Sequence, residues 1–546
     1  MNTLSIADYL KYANLQMAAE ALYGFDTTID PSQESGQNTS GTLTLENLTT
    51  GNHHASTFTK TQVALSGLTS DWTVVEHLSN TSTGFSGTLF KKESTNEYVM
   101  SFRSTEFIDD AARDNQATND LEIKTFGWAF GQIDDMQDWY ASLGERGLID
   151  GPLSVTGYSL GGHLATAFNL LYPDAAQQVV TFNGAGVGKI NDESDKLADV
   201  MAYFNGLRND PMQIEATITA PQLLTLYREL RTELNTLIQA AVAYSGEQAK
   251  NAFDSFKQRA DERLMAIWPE EPIGFDPLWG QREVVQSALS RAGNVFIEAH
   301  RAPGLSSGGA TPSNPANIPD SSIAQQSLDY QMAVLLAAER TESVNIAIGG
   351  WQTYFGRDVA DELRPNQYDV MGLGEPSAVA NSQVHYGADI KVFIEGQPLL
   401  RGGVLSEAWA AYWAYQGVKL LVPNYGENDF GDTHSLVLIL DSLNVQNTLL
   451  QLVPETQRAA AQSELDAALG SASWWEVNTE VAPRGRGSAQ GDVLENMVNA
   501  LATILLGEGA HDVHLTGNPS GNTWADIAST DPFTGREALY SALRMV

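Results

Sequence analysis

The stretch LSVTGYSLGGHLATAFNLLYP, residues 153–173, limits the fold of this chain more than any other segment. Strand-forming residues from Leu153 to Thr156 run straight into Gly157-Tyr158-Ser159-Leu160-Gly161. A helical pattern follows at once, with Leu164, Ala167, Phe168 and Leu171 on one face before Pro173 stops it. A strand can turn into a helix this abruptly only if the two elements approach without Cβ atoms between them, so glycines flank the serine. The Gly-x-Ser-x-Gly pattern alone is not selective, because a chain with 47 glycines repeats it at Gly304 to Gly308 around Ser306. There Pro303 and a Gly/Ser/Pro loop surround the serine, with no strand entering and no helix leaving. Context makes Ser159 the candidate nucleophile and leaves Ser306 in a glycine-rich turn.

A serine hydroxyl is a weak nucleophile until a base takes its proton and a carboxylate orients that base. The histidines after Ser159 are His163, His300, His385, His434, His511 and His514. His163 sits one turn into the helix after the serine, on the wrong side for a base, and His300 lies in a helical block. His434 ends the polar loop NYGENDFGDT and opens the apolar helix HSLVLILDSL, which makes it the candidate base.

Strand patterns at 72–78, 85–92, 98–104 and, with a glycine-rich exit, 178–188 alternate with helical ones. Among the helices is 128–147, with Ile133, Met136, Trp139, Tyr140 and Leu143 on one face. The first twenty residues show helical spacing at Ile6, Tyr9, Leu10, Ala13 and Met17. This alternation predicts an α/β protein with a mainly parallel sheet covered on both faces. A length of 546 residues exceeds the roughly 250–300 that one core organises. The expected division is a first part of the core over 1–190, a mostly helical insertion serving as lid or cap over 191–345, a second part of the core over 346–450, and a C-terminal extension over 451–546.

The net charge of −36 and the lack of any Lys/Arg cluster exclude a nucleic-acid surface. With no cysteine, disulfides, thiolate metal sites and a cysteine nucleophile are excluded. No apolar run reaches the ~18 residues of a membrane span. The N-terminus lacks a basic region followed by an apolar one, so export, the expected fate, needs another signal. No cofactor is expected for the chemistry. The acidic segments FIDDAARDNQATND (107–120) and GENDFGD (426–432) are candidate sites for structural calcium. HDVH (511–514) lacks a third metal ligand.

Three of these segments resemble the class 3, fungal-lipase-like branch of the α/β-hydrolases. VTGYSLGGHLA is similar to the family's nucleophile elbow, with Tyr158 where histidine is usual. YVMSFRSTEF (98–107) is similar to the strand that builds the oxyanion hole, with Ser104 in place of glycine. VVTFNGAGVG resembles the strand after the elbow helix. The likeness covers about 1–190 and 345–450. It implies an α/β-hydrolase fold and ester hydrolysis through an acyl-enzyme. Ser159 would be the nucleophile and His434 the base, with the N–H groups of Thr105 and Leu160 as oxyanion donors. Laid without gaps over YDVMGLGE, the family's aspartate falls on Glu375; Asp369 ranks second and Asp389 third. The implied substrate is an acylglycerol ester at a lipid–water interface. A phospholipase A1 or a short-chain or polyester esterase would use the same residues. A reading of another class is an inactive hydrolase-like scaffold that binds lipid or protein. The lid would come from 191–345 or from the aromatic segment 406–426.

Overall fold

The computed structural model describes residues 4–21, 39–50, 58–106, 110–182, 184–188, 190, 196–241, 244–267, 277–301, 324–341, 436–461 and 544. Its centre is a six-stranded sheet in which sequence order and spatial order coincide. The strands are β1 (Thr39–Thr42), β2 (Trp72–Leu78), β3 (Gly87–Lys92), β4 (Glu97–Phe102), β5 (Leu153–Tyr158) and β6 (Gln178–Phe182). The α/β class is as expected, but among the described strands the sheet is mixed, not mainly parallel. The pairings β1–β2, β2–β3 and β3–β4 are antiparallel, while β4–β5 and β5–β6 are parallel.

Connection length explains the difference. Only 93–96 separates β3 from β4, and Asn96 turns the chain there at φ 56°, its amide donating to Lys92 O at 2.9 Å. So short a link can only reverse direction, whereas a parallel partner needs a crossover. Short helices α2 (Leu45–Thr50), α3 (Lys60–Ser66) and α4 (Leu68–Asp71) lie between β1 and β2, and α5 (Lys124–Phe126) follows β4. The two crossovers are helical: α6 (Phe130–Glu145) lies between β4 and β5, and α7 (Leu160–Leu171) between β5 and β6.

Alternate side chains of β4 enter two cores, as the period of a strand requires. Tyr98, Met100 and Phe102 join α6, α7 and Val155 in one apolar cluster. Val99 faces the other way, with Val180 and Phe182 of β6, and meets α1 (Ile6–Ala21) and the last described long helix, α14 (Leu436–Gln451). The sheet is thus covered on both sides. On the first side Trp139 of α6 packs 5.9 Å from Phe85 and 6.5 Å from Phe102, ring centre to ring centre. Its indole N–H donates to Glu76 at 2.7 Å, a carboxylate also held by Arg146.

The described residues between 196 and 341 are mostly helical, as their periodicity predicts. They form α8 (Leu197–Asn209), α9 (Pro211–Thr217), α10 (Pro221–Ala240), α11 (Gly246–Ile267), α12 (Pro277–Ala299) and α13 (Leu328–Ala338). Their apolar faces belong to the same cluster as the sheet and α6, so they extend the core.

A π-helix over Ala111–Ile123 links these helices to the sheet. Arg291 of α12 donates to Leu121 O and, at 2.9 Å, to Gln331 Oε1. Tyr330 of α13 donates to Glu122 at 2.8 Å, and the Gly131 amide reaches the other oxygen of the same carboxylate at 3.3 Å. Burial pushes the Glu122 carboxyl up from 4.5 to about 7, against the Tyr330 hydrogen bond and the Arg291 charge, which favour ionisation. The folded protein therefore keeps a proton that the unfolded chain releases. The stability this gives is full below about pH 4.5 and is lost as pH rises to about 7, on the order of 3 kcal/mol in all. Unfolding midpoints at pH 5 and pH 8 should consequently differ more for the parent protein than for Glu122→Gln. Parallel pH dependence of the two would reject this account.

Candidate active site

Ser159 stands between the last residue of β5 and the first of α7, with φ 52° and ψ −116°. That positive φ is costly for a residue with a Cβ, about 1–3 kcal/mol, and persists only where surrounding bonds impose it. Here they do. The Ser159 amide donates to Phe182 O of β6 at 3.1 Å. Its carbonyl accepts from Ala185 N at 2.9 Å and from His163 N at 3.2 Å.

The flanking glycines are there for the close approach. A Cβ on Gly157 would lie 1.9 Å from Gly161 O, and one on Gly162 would lie 2.4 Å from the Gly184 Cα. A Cβ on Gly161 would lie 2.1 Å from Phe102 O, so the exit of β4 runs directly beside the elbow. Leu160 is buried at the head of α7, and Ser159 is half-buried.

The exit of β4 is held residue by residue from α1. Ser101 donates its hydroxyl to Gln16 Oε1 at 2.8 Å, and Gln16 Nε2 donates to Phe102 O at 2.8 Å. Arg103 donates to Ala19 O at 3.1 Å, and the Ser104 amide donates to Glu20 Oε1 at 2.8 Å. Gln16 also donates to that Glu20 oxygen at 2.9 Å. Burial raises the pKa of Glu20 despite the Arg103 charge and the Ser104 N–H, both of which lower it. Thr105 follows. Its hydroxyl accepts from Asn119 Nδ2 of the π-helix at 2.8 Å.

The part of 107–120 that the structure describes is an internal hydrogen-bond network. Asp114 accepts from the Glu106 amide at 2.9 Å and from Gln132 at 2.8 Å. Asp110 accepts from Asn80 at 2.8 Å and from Arg113 at 2.5 Å. Burial holds Asp110 up at about 6, and burial together with the neighbouring Asp110 raises Asp114 well above the carboxylate range. Among the described residues no group of three or more His, Asp or Glu is placed to hold a metal ion.

His163 has both ring nitrogens engaged. Nε2 accepts from the Ala129 amide at 3.1 Å, so Nδ1 carries the proton and donates to Gly186 O at 3.0 Å. Its lone pair is used, which removes it as a base for Ser159. His300 stacks on Phe296 and bonds to that residue's carbonyl at the end of α12. His77, on β2, bonds to Thr88 and is driven down to about 3 by burial and by the Arg103 charge.

His434, Glu375, Asp369 and Asp389 lie outside the described residues, as do Ser306, His385, His511, His514 and the segments 406–426 and 426–432. The helix that follows His434 is described: α14 packs on α1, and Tyr158, next to Ser159, packs against the cluster that holds its first residue, Leu436. The structure therefore brings together Ser159, Leu160, the exit of β4 before Thr105, and the start of α14. Gln16, Glu20 and Asn119 were not anticipated from the sequence. A signal did exist for the first two: LQMAAEALYG places two isolated polar residues four apart in a helix of small apolar ones, and four apart means one face.

No helix among the described residues is long and apolar enough to cross a membrane. Compared with known proteins, the chain matches no protein-family model and no curated sequence.

Proposed function

We propose that the protein is a serine carboxylic-ester hydrolase with an α/β-hydrolase core, a lipase that cleaves acylglycerol esters through an acyl-enzyme. Ser159 Oγ attacks the ester carbonyl. His434 takes the hydroxyl proton and returns it to the leaving alcohol, and Glu375, with Asp369 as its alternative, orients the imidazole. The amides of Thr105 and Leu160 donate to the developing oxyanion, each worth roughly 10²–10³ in rate. Water then attacks the acyl-enzyme with the same histidine as base.

The observation that carries this reading is the backbone of Ser159. A left-handed, non-glycine residue between a buried strand and a helix N-terminus is an arrangement that a turn without chemical work would fill with glycine. The exit of β4 beside Gly161 adds the position an oxyanion donor needs. Support for His434 comes from α14, whose Leu436, two residues after His434, lies in the cluster that Tyr158 packs against. The acylglycerol preference rests on the resemblance of the elbow and the β4 exit to class 3 lipases.

A fluorophosphonate probe tests the class. The folded protein should form one adduct, mapped by mass to the peptide containing Ser159. Folded protein that stays unlabelled would favour the inactive scaffold that binds lipid or protein. A turnover panel of triacylglycerol, phospholipid and short-chain esters then separates lipase from phospholipase A1 and from short-chain or polyester esterase.

A further inference from the structure

Helix α1 contributes four consecutive contacts to the β4 exit, which is far more than one apolar face requires. Ser101, Phe102, Arg103 and Ser104 are bonded in turn to Gln16, Gln16, Ala19 and Glu20. The last contact is made by a carboxyl only 1% exposed and lies one residue before Thr105. We propose that Glu20 is a positioning residue for the oxyanion-stabilising amide of Thr105, an inference that rests on the serine-hydrolase reading above.

The chain leaves β4 at Phe102, and the Arg103 amide still donates to Ser86 O at 3.1 Å, so the Ser104 amide is the next one that needs a partner. Without the Glu20 acceptor the Ser104 amide would be buried and unpaired, and the two dihedrals that orient the next peptide would be free to relax. An oxyanion donor works by being aimed before the charge develops, and a displacement of about 1 Å at such a site costs on the order of 10²-fold in rate. Gln16 keeps the acceptor in place by donating to the same Glu20 oxygen. Tyr12 of the same helix donates to Ser154 Oγ of β5 at 3.1 Å, so one element fixes the strands on both sides of the candidate site.

The positioning role separates binding from chemistry, since the aimed amide matters only once the oxyanion forms. Hydrolysis of p-nitrophenyl butyrate by the full chain, with melting curves and fluorophosphonate labelling alongside, provides the test. Glu20→Gln keeps an oxygen acceptor for the Ser104 amide and should retain at least a third of kcat. Glu20→Met removes the acceptor at nearly the same length and should lower kcat about 10- to 100-fold with KM within twofold. Glu20→Asp, which keeps charge and acceptor but withdraws them by one methylene, should lose about tenfold in kcat, and it decides the matter should the methionine variant not fold. A folded Glu20→Met or Glu20→Asp protein with kcat within threefold of the parent overturns the proposal. So does a Glu20→Gln protein as slow as Glu20→Met. A parent protein that neither hydrolyses the ester nor labels at Ser159 overturns the hydrolase reading itself, and the role of Glu20 with it.

Discussion

Ser159→Ala is expected to reduce kcat for p-nitrophenyl butyrate hydrolysis by about 10⁶-fold, the scale on which serine hydrolases lose activity without their nucleophile. The melting curve should be nearly unchanged. Alanine still has a Cβ, and at φ 52° it carries the same backbone cost as serine. Ser159→Gly removes both the hydroxyl and that cost, so it should be equally inactive yet more stable by about 1 kcal/mol. Chemical denaturation of the three proteins measures the difference. Residual activity in Ser159→Ala above a hundredth of the parent would remove Ser159 from the chemistry. A glycine variant no more stable than the alanine one would show that the elbow stores no strain.

The largest effect on folding is expected at Gly157. Its added Cβ would meet Gly161 O at 1.9 Å and Gly161 C at 2.2 Å, and both atoms are backbone. No side chain can swing aside, so β5 and α7 must separate. Gly157→Val should therefore cost more than about 4 kcal/mol, in the range reserved for severe core disruption. Gly144 supplies the comparison: it lies in α6 with nothing within 4 Å of its added Cβ. Gly144→Ala should stabilise the protein by about 0.5–1 kcal/mol through the helix alone. If the two variants melted within a few degrees of each other, the close strand–helix contact described here would not exist in solution.

Local signals were legible and long-range ones were not. Strands β2 to β6, α6, α7 and the helices after β6 follow from side-chain periodicity, and the elbow follows from one run of residues around Ser159. The short β1 strand sits in a Thr/Ser/Gly/Asn-rich stretch where β propensity is weak, and its pairing with β2 decides its state. The segment 107–120 has the composition of an acidic loop. From Asp110 onward it is the entry to and body of a π-helix instead, because Asp114 finds Gln132 and Asp110 finds Asn80. Such partners lie far along the chain, and composition cannot reveal them. The mixed sheet could have been read from the four-residue link at 93–96, which is too short for a crossover. At the site, Ser159 and the approach to Thr105 were legible because each belongs to a local motif. The spacing of Gln16 and Glu20 on one helix face was legible, but what Glu20 holds was not, because its partner, the Ser104 amide, carries no mark in the sequence.

The pairing of α1 with α14 has a consequence for biosynthesis. Tyr9, Ala13 and Met17 are synthesised more than four hundred residues before Ile439, Leu440 and Leu443, which share their cluster. At roughly 5–20 residues per second, α1 waits about 20–90 s for its cover. During that interval an apolar surface is open to chaperones or to other nascent chains, so the yield of folded protein should depend on how quickly and how completely translation finishes.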